Sequence, residues 1–396
     1  MRIVFVIPYF YPAWEYGGQP RSAFELAKGL VMEGHTVKVL TTDSGGANRL
    51  RDVSNDNGNA RNVEGIEVFY YRNISNGLAF RYRIFWPPNF FRDIQKQLST
   101  ADLVHIHELR TTLTIAAFHA GRKLALPMVL SPHGGLRHLG RKAAKVVFDS
   151  FWGNRVLTGI DALIAVSPLE EREAKQLKVA PRRIRRVPNA VSLSDWTLPP
   201  DAARFRSKWR ISNRRLVMFL GRLHWIKGAD LLLRGFHEAC RSSELDAHLV
   251  LAGPDDGQEK QLRHFAAELN LGDLVTFAGF LDKADKFDAF AAADLIVIPS
   301  RSEVFAITAL EALLCSRPVL VSSVCGLSPL LGAGEGVTTF ASENVHDLAL
   351  KLAAALRDQQ LRSATERGRD FVVREFSLPA VAQKAEAVYR EVLLAK

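Results

Sequence analysis

A chain of 396 residues is too long for one ordinary hydrophobic core, and 47% apolar against 24% charged residues is the balance of a globular protein, not a disordered one. Three cysteines, Cys240, Cys315 and Cys325, stand far apart and odd in number, which argues against a disulfide framework or a paired-cysteine metal or redox site. The net charge of +10 lies wholly in the first half: residues 1–195 hold 27 basic and 17 acidic side chains, and residues 196–396 hold 25 of each. A basic half of this kind suits an anionic surface such as a membrane leaflet or a lipid diphosphate. No nucleic-acid motif accompanies it.

The first residues, MRIVFVIPYFYP, lack a small-residue cleavage site and read as a first strand. No run reaches the roughly 18 apolar residues of a spanning helix. Strands are expected at 3–7, 36–40, 66–70, 103–106, 128–131 and 162–166, with helices at 20–33, 90–98 and 168–177 between them. That alternation argues for βαβ units. Residues 44–64, rich in Gly and Asn, read as a surface loop. A switch between halves is expected at 188–200, PNAVSLSDWTLPP. The second half repeats the pattern with strands at 216–220, 248–252, 275–277, 295–298 and 319–321, and a helix at 379–394 ends the chain.

Several strand ends carry chemistry. Gly17 and Gly18 follow the first strand and open a helix. His133, before Gly134 and Gly135, ends another strand, where it could donate to a sugar hydroxyl or a leaving phosphate. His105, His107 and Glu108 have a spacing that could hold a metal, although packing is the more ordinary use of such a buried strand. Gly221, Arg222 and Lys227 in the loop GRLHWIKG suit a diphosphate, because Arg offers a two-pronged donor and Lys a point charge. The loop is not a P-loop, since GxxxxGK[ST] is absent. Residues 294–322 read strand–loop–helix–strand, the helix at 305–314, with Glu303 at its mouth and Glu311 two turns on. Such a helix start favours phosphate, and two acids so spaced could hold two pairs of sugar hydroxyls. Residues 80–92, FRYRIFWPPNFFR, read either as a bilayer-interface stretch or as a helix start with Pro88 at its first position and Phe91 and Ile94 inward.

The segment PSRSEVFAITALEAL resembles the E-x7-E signature of the retaining glycosyltransferases of family 4, the glycosyl transferases group 1, with Ala306 where the family usually has Gly. The resemblance implies an α/β chain of the GT-B fold, two Rossmann-like doubly wound domains facing across a cleft. Residues 1–195 would form the acceptor side, residues 196–378 the nucleotide-sugar donor side, and the terminal helix, 379–396, would return to the first domain. It assigns Glu303, His133, Arg222 and Lys227 to catalysis. Gly221, Gly253, Phe280, Phe305, Ala306, Ile307 and Glu311 would join Arg222, Lys227 and Glu303 in donor binding, with Gly17 and Gly18 as an acceptor and phosphate loop. It further implies a metal-independent hexosyltransferase without cofactor. The donor would be a UDP- or GDP-sugar, and the acceptor a glycan or polyprenyl-diphosphate-linked glycan of surface polysaccharide synthesis. A cytoplasmic chain, peripheral on the inner face of the cell membrane through residues 80–92, would fit that role. Two other classes share such a nucleotide site: a GT-B sugar-nucleotide epimerase, which needs no acceptor, and a non-catalytic sugar-nucleotide-binding protein.

Overall fold

Runs such as Arg2–Val6 and Ala247–Ala252 are apolar almost throughout, which suits strands covered on both faces by helices. The computed structural model describes residues 1–50, 60–137, 142–193, 200–211, 213–243 and 245–396. Two compact units are present: Met1–Ala190 with Phe376–Lys396, and Val191–Glu375.

The first unit holds eight strands: β1 (Arg2–Val6), β2 (Thr36–Thr42), β3 (Arg61–Val63), β4 (Ile66–Tyr71), β5 (Leu103–His107), β6 (Met128–Ser131), β7 (Ala162–Ala165) and β8 (Ile184–Arg186). Their order is β3-β4-β2-β1-β5-β6-β7-β8, parallel except for β3. Apolar side chains of alternate register fill two cores, one on each face of the sheet. The helix Leu378–Leu394 contributes Val381, Ala385 and Tyr389 to one of them. It lies so close to the helix Gly18–Met32 that a Cβ on Gly29 would stand 2.9 Å from the Leu378 carbonyl.

The second unit is a six-stranded, wholly parallel sheet of β9 (Arg215–Leu220), β10 (Ala247–Ala252), β11 (Val275–Gly279), β12 (Leu295–Ile298), β13 (Val319–Ser322) and β14 (Val337–Phe340), in the order β11-β10-β9-β12-β13-β14. In each sheet the strand order reverses beside the first strand, between β1 and β5 and between β9 and β12. In open α/β sheets ligands sit outside the carboxyl ends of the strands that flank such a reversal.

Four expectations need correction. Residues 61–63 are not loop but strand β3, an edge strand whose polar RNV carries no apolar pattern. Ser44, also expected on the surface, is fully buried against Tyr16. Residues 51–59, within the same expected loop, lie outside the described residues, as do residues 194–199 of the expected switch segment. The helix expected at 305–314 is Ile307–Leu314, because Ala306 adopts φ −85° and ψ 86° and acts as its cap. In residues 80–92, Phe85 and Phe90 are fully buried, whereas Phe91 is only partly so. The helix Pro88–Leu98 turns Phe90, Ile94 and Leu98 inward at helical spacing, with Pro88 at its first position. Phe80, Tyr82, Ile84 and Trp86 are the exposed apolar side chains of that stretch.

Candidate functional site

In the second unit the switch-point loops meet. The loop after β9 runs through Gly221 and Arg222 into a short turn, Trp225–Lys227. The loop after β12 carries Ser300, Arg301 and Glu303 toward the helix Ile307–Leu314. Backbone joins them, the Arg301 N–H donating to the Ile226 carbonyl at 2.8 Å. The Arg301 side chain repeats the tie, donating to the Trp225 carbonyl at 2.6 Å and to both carboxylate oxygens of Asp230 at 2.8 and 2.6 Å. Gly228, at φ 72°, lets the chain turn between these contacts, since a Cβ there would stand 2.1 Å from the Pro299 carbonyl oxygen.

The result is a charged pair at the switch point. Lys227 Nζ lies 2.5 Å from Glu303 Oε2, with the carboxylate mostly buried and Ser300 Oγ 3.5 Å away. Glu303 is fixed from behind, its backbone pairing with Cys325 and its carbonyl accepting from the Gly326 N–H at 2.8 Å. Phe305 and Ala306 are buried just before the helix, and the cap residue, Ala306, has no side-chain acceptor for the helix N–H groups. Uncapped helix N–H groups form a ready seat for an anion. Glu311, 5% exposed on the same helix, is paired with Lys286 Nζ at 2.6 Å.

Arg222 is not brought onto Lys227 or Glu303. It turns toward the loop after β10 and pairs with Asp256. Gly253, at φ 142°, makes that approach possible, because a Cβ there would come within 1.9 Å of the Gly221 carbonyl oxygen. Gly221 itself donates to the Ala252 carbonyl at 2.9 Å. Phe280 projects from the end of β11 and is 74% exposed.

The first unit has its own switch-point cluster. Gly17 ends a short turn at φ 93° and, as cap residue of the helix Gly18–Met32, has no side chain to bond the first helix N–H groups. Gln19 binds this loop to the β6 loop: its amide donates to the His133 carbonyl at 2.9 Å, and Tyr9 donates its hydroxyl to the Gln19 carbonyl oxygen. Gly17, Gly18 and His133 therefore share one site. His133 Nε2 lies 2.9 Å from His107 Nδ1. Burial pushes His133 down to about 4, so the ring is neutral near pH 7. Glu170, fully buried, accepts from the Gly134 and Val166 N–H groups at 2.5 and 2.9 Å, and burial pushes its carboxyl up to about 7. Glu108, at the end of β5, is pushed up to about 8 for the same reason. Arg110 holds the far side, donating to the Leu136 carbonyl at 3.0 Å, to the Gly135 carbonyl, and to Asp149 at 2.6 Å.

Gln19, Glu170, Arg110, Lys286 and Arg301 were not picked out from the sequence. Each acts on a partner at least 25 positions away, and no local spacing signals such a pairing.

Two open, doubly wound α/β sheets in one chain define an architecture of the GT-B type. The model of the Glycosyl transferases group 1 matches residues 201–369, and that of Glycosyltransferase Family 4 matches residues 16–195. The chain belongs to these group 1 glycosyltransferases of the GT-B fold. It is 30% identical over 247 residues to the D-inositol 3-phosphate glycosyltransferase of Thermobispora bispora, covering 60% of this chain and 58% of that relative's length. An uncharacterized glycosyltransferase of Methanocaldococcus jannaschii is 25% identical over 402 residues, covering 95% of this chain and 96% of its own. In fold the chain is similar to HepE of Anabaena, solved with UDP, with a TM-score of 0.75, 18% identity and coverage of 99% and 100% of the two chains. It is similar also to sucrose-phosphate synthase of Thermosynechococcus elongatus, with a TM-score of 0.77, 21% identity and full coverage of both.

Proposed function

We propose that this chain transfers a hexosyl group from a nucleotide sugar to a hydroxyl of a glycan or lipid-linked glycan, with retention of anomeric configuration, in surface polysaccharide synthesis. The observation that carries the reading is the Lys227–Glu303 pair at the β9/β12 switch point, directly before an uncapped helix N-terminus. The donor diphosphate occupies that helix start. Lys227 leaves Glu303 for the phosphate, and Arg222 adds charge from the β10 side. Charge grows on the departing diphosphate in the transition state, so these groups stabilise it more than the ground state. Glu303, released from its lysine, accepts from hydroxyls of the donor sugar. Glu311 accepts from the ribose hydroxyls, Gly253 and Phe280 border the base, and His133 meets a sugar hydroxyl or phosphate oxygen.

Two cations and a helix dipole neutralise the diphosphate, so the reaction proceeds without a divalent ion or other cofactor. The fold of HepE, a protein crystallised with UDP and with UDP-glucose, supports a uridine nucleotide among the candidates. An anionic, lipid-linked acceptor accounts for the basic first half and for the exposed aromatics at 80–86. Among the described residues no helix is long and apolar enough to cross a membrane. A thermal-shift screen across UDP-, GDP- and ADP-sugars tests the donor claim, since a ligand of the native state raises its melting temperature. One nucleotide series is expected to raise it in a saturable way, and no shift from any of them at millimolar concentration would remove the reading.

A further inference from the structure

A line of buried rings runs from the C-terminal helix to His133. Tyr389 Oη lies 2.7 Å from His105 Nδ1, and Ser131 Oγ lies 2.8 Å from His105 Nε2, so both nitrogens of that ring are satisfied. His107, next on the same face of β5, is fully buried. Its Nδ1 is 2.9 Å from His133 Nε2, and the two ring planes are 10° from parallel with centroids 5.2 Å apart, the edge-to-edge arrangement of an in-plane N–H···N bond. Its Nε2 is buried with no hydrogen-bond partner among the described residues, and the ring packs against Phe5 at 4.6 Å.

The contact between His107 and His133 holds a single hydrogen, and chemistry decides whose it is. A neutral imidazole carries one N–H and one bare nitrogen. If His133 donated from Nε2, His107 Nδ1 would be bare and its hydrogen would sit on Nε2, an orphaned N–H beside Phe5 and a His105 ring whose own nitrogens are already taken. If His107 donates from Nδ1, its Nε2 is a bare lone pair. An orphaned buried donor is the costlier of the two defects. We infer that His107 donates its Nδ1–H to His133 Nε2 and so fixes His133 as the Nδ1–H tautomer, a hydrogen-bond donor toward its ligand rather than a proton acceptor. His107 is then a positioning residue. His133 keeps its backbone angle, φ 49°, through the bond from Gln19 to its carbonyl, and no described residue bonds its Nδ1. The ligand atom that meets it has a lone pair to offer, a hydroxyl or phosphate oxygen. This deepens the proposed function and rests on its placing of His133 at the substrate.

Long-range ¹H–¹⁵N correlation spectra of the whole chain with ¹⁵N-labelled histidine read the tautomer directly, with His133→Gln assigning the signals. The wild-type His133 ring is expected as Nδ1–H, and an Nε2–H ring overturns the inference whatever the enzyme's substrate. His107→Asn keeps a donor where Nδ1 stood, so it should preserve the tautomer and turnover. His107→Leu should return His133 to the Nε2–H form and lower kcat about tenfold or more at little change in KM. A His107→Leu enzyme with the parent's tautomer and kcat contradicts the proposal. Should His107→Leu not fold, the wild-type and His107→Asn spectra still decide it. Absence of transfer activity alongside an Nδ1–H ring would count against the proposed function and leave the positioning intact.

Discussion

Lys227 and Glu303 are 76 positions apart and stand 2.5 Å from each other, the lysine at the end of the β9 loop and the glutamate before the helix Ile307–Leu314. Without a ligand each neutralises the other at the mouth of an uncapped helix. In the proposed function a diphosphate arriving there would compete with Glu303 for Lys227, and a sugar hydroxyl would compete with Lys227 for Glu303. One ligand would then free both partners of the pair and so couple recognition of the two ends of a sugar diphosphate.

Removing a charge-assisted contact that is completed only in the transition state costs about 2–4 kcal/mol, or about 10²–10³ in rate. Arg222→Ala and Lys227→Ala are each expected to lose that much kcat with melting behaviour near the parent's. Chelator is expected to leave the parent's rate largely intact. Steady-state kinetics decides both points: parent-like turnover in either variant removes that residue from the clamp, and loss in EDTA restored by Mn²⁺ or Mg²⁺ refutes metal independence.

Gly228→Ala sets a Cβ against the Pro299 carbonyl oxygen at a φ of 72°. Strain of this kind costs on the order of 1–3 kcal/mol, and relief requires parting the two loops that carry Lys227 and Glu303. A lower urea midpoint and a weaker donor affinity are expected together. An alanine variant as stable as the parent would show that the loops are not packed as described.

The pH dependence of stability has two opposing parts. Burial holds His133 at about 4 and His105 and His107 well below their ordinary value. Below about 6.5 the unfolded chain takes up protons that the folded chain refuses, so their contribution is lost as pH falls from there toward 4. Glu170 at about 7 and Glu108 at about 8 behave oppositely: above about 4.5 the unfolded chain releases protons the folded chain keeps, and stability declines as pH rises to those values. Melting temperatures from pH 4.5 to 8.5 test this by variant. His133→Gln should lose less on going from pH 7 to 5 than the parent, and Glu170→Gln less on going from pH 5 to 7.5. Slopes identical to the parent's would show these groups to be solvated.

Membrane contact through residues 80–86 predicts co-sedimentation with anionic liposomes that weakens with salt. Replacing Tyr82, Ile84 and Trp86 by Ser should abolish it with the fold kept, because all three are exposed. Phe85→Ser is expected to lower stability by about 3–5 kcal/mol, the loss of a buried aromatic. Parent protein left in the supernatant at low salt argues for a soluble acceptor.

The alternating pattern of apolar runs and helical stretches made the doubly wound sheets legible, because strands covered on both faces must be apolar throughout. Three of the four edge strands were not: β3 is RNV, β8 is IRR and β14 is VTTF, and an edge needs no such run, whereas the fourth, β11, was expected at 275–277. Glu303, Lys227 and His133 stood out because each lies in a loop at a strand end. The residues that brace these loops did not, since the pairings of Gln19 with His133, Arg301 with Asp230 and Lys286 with Glu311 arise only when distant loops converge. Within 80–92, aromatic content alone did not separate buried Phe85 from exposed Trp86, which the entry into the helix Pro88–Leu98 decides.

Isothermal titration of UDP, GDP and ADP into the parent and Lys227→Ala chains tests the central claim without any acceptor. A charge-assisted hydrogen bond contributes about 1.5–3 kcal/mol, so the account predicts one-to-one binding of at least one nucleotide by the parent, weakened roughly 10–150-fold by Lys227→Ala. Equal affinity in the two chains would place the diphosphate elsewhere and contradict the account.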